Sequence, residues 1–374
     1  MEGRAPIVSA RPLDDGYAAS AKAHLGEALR WNRETEFEFA EGIIAGLGFV
    51  GPILLAALYG DLPLGLAASA GSLPIGTIAA GRSAAEQARN LALALMPTLS
   101  AAGLAVVLAD AGWQSKVLVV VLAGIAALFG GYSRTAAIVT TRFTLFLIIT
   151  LSLAAATPHR LLLMLLLAGG AIWTALLWLL LGIAAHVTRN IGAATVEDPQ
   201  PRPTTAEKLT RWRASLHQFA GWQYAAKLAL CLAVAAALDL GYPDHHLHWI
   251  SLTIVLLAQR RVDLMPVKIT QRALGAGLGG IVAGLCVAAR PPVWLLIAGI
   301  ALIAGTRPLL KARHYLSYSA MMTTLIVLMM DFEQPLEPAV LADRTLATLI
   351  GGSLVVVSNL VANRIAARRA GYGS

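Results

Sequence analysis

The chain has 374 residues, of which 57% are hydrophobic and only 13% charged. A soluble domain carries about 25% charged and roughly 45–50% apolar residues, so this composition leaves too little polar surface to cover a water-soluble fold. The formal net charge of +8 raises nucleic acid as a partner, a reading that the placement of the charges excludes below.

The first 36 residues mix acids and bases, including Asp14, Asp15, Glu27, Arg30 and Arg33, and hold no short apolar core with a cleavage site. A cytoplasmic N-terminal segment is expected there rather than a signal peptide. Apolar runs of roughly 20 residues then follow, about the length that crosses a 30 Å hydrocarbon core. Six predicted spans fall at 37–59, 62–80, 88–109, 117–131, 135–155 and 161–185, making a first membrane half over 37–187. Arg142 lies about seven residues into the fifth span, roughly 10 Å at 1.5 Å per residue. A charge at that depth costs at least about 2.5–3.5 kcal/mol on insertion scales. Either it faces an internal path and neutralises an anion, or its long stem snorkels to the interface.

The segment 188–220 opens Pro-rich and reads as a linker; Thr204 and Thr205 followed by Glu207 can cap a short amphipathic helix. Six further spans fall at 223–240, 247–258, 269–289, 293–305, 315–330 and 341–362, giving a second half over 221–364 and a tail over 365–374. Lys227 in the seventh span repeats the alternatives of Arg142. DHHLHW at 244–249 invites a metal or proton-relay reading, but adjacent His245 and His246 point to different faces. A polar loop leading to an interfacial Trp249 accounts for it, and no metal is expected. Cys231 and Cys286 lie in apolar runs without ligand spacing, so no disulfide framework is implied. GAGLGG at 275–280 has the letters of a dinucleotide fingerprint, yet no strand precedes it and no acid follows within 20 residues. Inside an apolar helix these glycines serve close helix packing, so no cofactor is expected.

Twelve spans put both termini on one side. Lys and Arg cluster at 82–89, 134, 189–213, 260–272, 307–313 and 364–369, whereas the other side holds Lys116, Arg160, Arg290 and Arg344 against Asp61, Asp110, Asp239, Asp244, Asp331, Glu333, Glu337 and Asp343. By the positive-inside rule the termini and the linker are cytoplasmic. The basic excess is thus a topology signal, and the expected partners are the lipid bilayer, a small anion and a further copy of the chain.

RALGAGLG at 272–279 and RTLATLIG at 344–351 share Arg-x-x-small-(Thr/Ala)-x-x-Gly at the head of helices that cross in opposite senses. That relation suits nested three-helix inverted repeats; two glycine-rich packing helices with a flanking Arg would look the same. Gly275, Gly279 and Gly351 are the expected packing residues.

At these residues the chain resembles the fusaric acid resistance or aromatic acid exporter family, related to the aluminium-activated malate transporters. HWISLTIVLLAQRR carries Trp249 and Thr253, followed by Arg272, Gly275 and Gly279; RPLLKARHY carries Arg307, Pro308, Arg313 and Tyr315; the last block carries Arg344, Thr348 and Gly351. The resemblance spans roughly 223–362. Ala347 stands where that family has Asp, Ala276 where it has Thr, and Gln259–Arg260 where it has Gln–Pro. The soluble domains of large members have no counterpart in so short a linker and tail. Losing the Asp at 347 removes one proton-coupling candidate, and Asp343, one helical turn earlier on the same face, can replace it.

The resulting expectation is an all-α polytopic membrane protein of two six-helix halves in a bacterial inner membrane. It would export small carboxylate anions, aromatic by resemblance, and use an ion gradient, since no nucleotide motif is present. Arg142, Lys227, Trp249, Thr253, Arg272, Arg313 and Arg344 are the substrate-binding candidates. A passive gated anion pathway is the nearest alternative. A major-facilitator carrier lacks its acidic–basic signature in GRSAAEQARN, and an intramembrane enzyme would rest on DHHLH alone.

Overall fold

The computed structural model describes residues 26–27, 29–32, 39–76, 78, 83–155, 157–189, 204–243, 245, 247–258, 265–289, 291–330 and 338–371. Of the charges and motif residues above, Arg82, Arg202, Asp244, His246, Gln259, Arg260, Arg261, Arg290, Asp331, Glu333 and Glu337 lie outside the described residues.

Thirteen helices occur among them and no strand. The first half holds α1 (Phe39–Leu58), α2 (Leu62–Ser72), α3 (Ala84–Leu108), α4 (Trp113–Phe129), α5 (Arg134–Ala155) and α6 (Arg160–Arg189). Between the halves is α7 (Thr205–Leu216), with the expected capping box between Thr204 and Glu207. The second half holds α8 (Phe219–Gly241), α9 (His248–Leu257), α10 (Met265–Ala289), α11 (Val293–Arg313), α12 (Tyr315–Met330) and α13 (Pro338–Gly371). Seven of these are long and apolar enough to cross a membrane, so the chain is a polytopic helical membrane protein. Successive helices alternate in direction; the end of the bundle that carries α7 is called the linker end, and the other the far end.

Two of the predicted spans differ from the helices at prolines. The run 62–80 is helical only to Ser72: Pro74 has no N–H for the ladder, and turn bonds from Leu73, Ile75 and Gly76 close the end. The run 293–305 instead continues through Pro308 to Arg313. The last helix runs on to Gly371, well past the expected end at 362.

Packing follows one scheme in both halves. The second helix pairs with the sixth (α2 with α6, α9 with α13), and the third with the fifth (α3 with α5, α10 with α12). The halves meet through α1 on α11 and α4 on α8, each the first helix of one half against the fourth of the other. Lipid offers no hydrophobic drive for association, so close approach must supply the attraction, and glycine permits it. A Cβ on Gly71 or Gly170 would overlap the Leu167 or Ala68 carbonyl across the α2–α6 contact. In GAGLGG, Gly275 and Gly279 face Ser319 and the Ala320 carbonyl of α12, while Gly277 meets nothing within 4 Å. Gly351 would place a Cβ 2.9 Å from the Thr253 Cβ on α9.

At the far end, Lys116 on α4 holds Asp239 on α8 at 2.5 Å, and Arg160 on α6 is bonded to Asp110 after α3. That bond and the guanidinium charge hold the Asp110 carboxyl below its usual value. At the linker end Trp212 of α7 donates to the Leu128 carbonyl at 3.0 Å and stacks on Phe129, fixing the linker helix to α4.

Gly279→Leu and Gly351→Leu are expected to lose folded protein, since overpacking costs about 1–3 kcal/mol and these contacts are to a neighbouring helix. Gly277→Leu on the same helix should be tolerated. Melting in detergent checks this, and equal melting of all three would refute the packing assignment.

Candidate functional site

Arg307 on α11 is the most deeply buried charge among the described residues, 2% exposed, with Nε and Nη2 unpartnered. The helix that continues through Pro308 carries this residue a turn and a half inside the bundle. Its Nη2 lies 2.6 Å from where a Cβ of Gly76 would stand, so the guanidinium rests against bare backbone of the turn that ends α2. The carbonyl end of α2 favours a cation there by about 0.3–1 kcal/mol. An arginine at a helix centre costs about 2.5–3.5 kcal/mol, so the dipole offsets only part of that.

Two more cations join it. Lys311 follows one turn later on α11, and the charges of both Arg307 and Arg142 act on it. No carboxylate among the described residues pairs with any of the three. Arg142 on α5 is half-buried. On the other side Tyr318 lies within Coulombic reach of Arg307, and Tyr315 within that of Arg272. The two tyrosine rings are 5.7 Å apart. Arg272 on α10 is also buried; it donates from Nη1 to the Ser319 hydroxyl at 3.4 Å and keeps Nε unpartnered. Arg142, Arg272, Arg307 and Lys311 thus form a tyrosine-lined cationic site toward the linker end. Chemically it can accept carboxylate oxygens, and the orphaned arginine N–H groups have the fork geometry for it.

The joint between α11 and α12 is the single residue His314. Its Nδ1 accepts the Ser317 N–H (3.3 Å), leaving Nε2 to donate to the Leu29 carbonyl (3.2 Å). Trp31 stacks on the imidazole at 5.3 Å, and the Asn32 N–H donates to the Arg313 carbonyl at 2.8 Å. The N-terminal segment therefore steadies the corner next to Lys311 and Tyr315.

Nearer the far end, a throat of about 60 Å³ lies between α2, α5, α9 and α12, the second and fifth helices of the two halves. Its walls are apolar apart from Ser152, His248 and the Trp249 indole edge. A larger vestibule of about 460 Å³ adjoins it, sharing Ile148, Ser152 and His248, with Lys116 and Asp239 on its wall.

Several candidates named from the sequence lie elsewhere. Lys227 hydrogen-bonds the Asn359 amide oxygen and lies over the Tyr224 ring at 5.7 Å, tying α8 to α13. The guanidinium of Arg344 stacks on Trp249 at 3.7 Å. Thr253 packs on Gly351. Arg313 ends α11 at the steadied corner. Asp343 meets His245 Nδ1 at 3.0 Å near the far end. No cluster of three metal-ligating side chains occurs among the described residues. The sequence reading missed Arg307 and Lys311 as site residues. RPLLKARHY reads as a basic cytoplasmic flank beyond a span ending at 305, and only continuation of α11 through Pro308 brings both inward.

The bundle thus buries cations that no carboxylate pairs with among the described residues, an arrangement that can accept an anion. Residues 228–358, from α8 into α13, match the fusaric acid resistance protein-like family. No curated protein and no solved structure matches the chain.

If Lys227 is a structural tie, Asn359→Leu strands its ammonium and should cost about 1–3 kcal/mol. Lys227→Met with Asn359→Leu should recover most of that loss, because removing both partners of a buried polar pair is often neutral. A double variant melting no higher than the single would return Lys227 to the list of free cations.

Proposed function

We propose that the protein carries small organic carboxylate anions outward across a bacterial inner membrane. The observation that carries this reading is the unpaired burial of Arg307 beside Arg142 and Lys311. The Lys/Arg asymmetry puts the linker end in the cytoplasm, so the cationic site would collect its anion from that side. Aromatic acids as substrates are suggested by the family resemblance, as is the relation to aluminium-activated malate transporters. The matched pairings of second with sixth and third with fifth helices support two six-helix repeats, each of nested inverted three-helix units. Asp343, bonded to His245 at the far end, is the proposed proton-coupling group. A passive gated anion pathway is the second reading; what favours it is that no acid pairs with the cation cluster among the described residues.

Arg307→Gln and Arg142→Gln are expected to abolish benzoate transport in inverted vesicles while protein level and melting are kept. Arg142→Lys should retain part of it, since the charge stays and the planar fork is lost. Transport at the wild-type rate in Arg307→Gln would remove the cluster from the function. Comparing rates with and without a proton gradient separates the coupled from the passive reading.

Reporter fusions at Pro201 and Ser374 should both give the cytoplasmic signal. A periplasmic signal at either position would refute the twelve-span topology on which the direction rests.

A further inference from the structure

We infer that the apolar throat selects the body of the transported anion, with Leu73 and Leu252 as the specificity-determining residues. It would admit anions that carry a flat apolar group and refuse small hydrated ones such as chloride. This rests on the organic-anion reading above and adds a second criterion to it: the cations recognise charge, and the throat recognises what the charge is attached to.

Position is the first argument. On one side of the throat, Leu73 stands three residues before Gly76, the turn against which Arg307 rests. On the other side the throat shares Ile148, Ser152 and His248 with the vestibule beside Lys116 and Asp239. It therefore separates the cationic site from the far-end vestibule. A solute passing between them meets Leu73, Trp249, Leu252, Ile326 and Met329.

Chemistry is the second. Apolar cavities larger than this one, about 150 Å³, stay dry and accept benzene instead. A space of about 60 Å³ whose polar groups are confined to Ser152, His248 and the Trp249 indole edge replaces too little of chloride's hydration shell, and chloride has no apolar body to gain from the leucine, isoleucine and methionine walls. A benzoate differs because its ring gains from leaving water, while its carboxylate can be held by Arg307 on one side and by His248 and Ser152 on the other. Ser152 and His248 are the polar groups of the throat that also face the vestibule, so they mark where the carboxylate would be handed on.

The ring does not fit the throat as it stands, and the walls show how room can be made. Leu73 follows α2 and Leu252 lies on α9, helices of 11 and 10 residues, about 16 and 15 Å long, against a 30 Å core. Both occupy the second place in their half. Paired short helices at matching positions in two repeats are the usual place of a transport site, and here they bear the narrowing residues. A lateral shift of either widens the throat without breaking α3–α5 or α10–α12.

The test uses the full chain in proteoliposomes, comparing benzoate uptake with chloride flux read by an entrapped chloride-sensitive dye. Wild type is expected to move benzoate and exclude chloride. Leu73→Ser and Leu252→Ser, made separately on the two helices, should each raise chloride flux at least about tenfold relative to benzoate. Leu73→Met, which keeps volume and apolarity, should behave as wild type and shows that the site tolerates substitution. Wild type moving benzoate, with folded serine variants still excluding chloride, overturns the throat's role and leaves the anion reading standing. Wild type passing chloride as fast as benzoate overturns it as well. Wild type moving no benzoate overturns the transport reading and the filter with it.

Discussion

Everything in this bundle depends on helix backbones touching where glycine removes the side chain. Lipid tails are as apolar as leucine, so hydrophobic burial cannot hold helices together there, and contact must be close enough for dispersion and carbonyl approach to suffice. Gly71 and Gly170 bring α2 onto α6, Gly275 and Gly279 bring α10 onto α12, and Gly351 brings α13 onto α9. Each contact anchors a long helix to a shorter or matching one, leaving the second and fifth helices of both halves facing each other across the centre. The throat occupies that space because the tight pairs are made outside it.

That frame is also what makes unpaired charge tolerable. A lone arginine on an isolated helix would snorkel or recruit water. Arg307 is held by a helix that α1 and α12 clamp from two sides, with Gly46 on α1 lying 3.5 Å from the Gly305 Cα as measured from an added Cβ. The backbone places its guanidinium under the end of α2, where partial carbonyl charge meets it. The remaining cost is one that a bound anion would offset, and the proposed function rests on that.

The sequence made the fold class legible because span length and hydropathy are properties of the chain alone. The glycine motifs were equally clear, since spacing by four on an apolar helix has one physical use. The capping box at Thr204–Glu207 was readable for the same local reason. Two helix ends were not legible, and a proline lies at each. Pro74 ends α2 early inside an unbroken apolar run, while Pro308 lies within α11 and is tolerated. Whether a proline stops a helix depends on what neighbours supply to the freed carbonyl, which no local pattern records. Arg307 and Lys311 were not singled out by the sequence, and the Asn359 partner of Lys227, 132 residues away, is equally beyond a local pattern.

The near-symmetry of the halves sharpens the case for a single site. If pairing alone decided chemistry, the ends of α2 and α9 would be alike, because both close the second helix of a half. They are not. The carbonyl of Ala258 at the end of α9 is satisfied by the neutral Tyr224 hydroxyl at 3.1 Å. The turn after α2 faces the Arg307 guanidinium with Lys311 and Arg142 behind it. Matched helix pairings and an unmatched charge distribution give the molecule one cationic site off the centre and one apolar throat on it, with the vestibule on the throat's other side. Under the proposed function, that polarity is what a directional path requires: elements that can move against each other, and unpaired cations at the end where the substrate would be gathered.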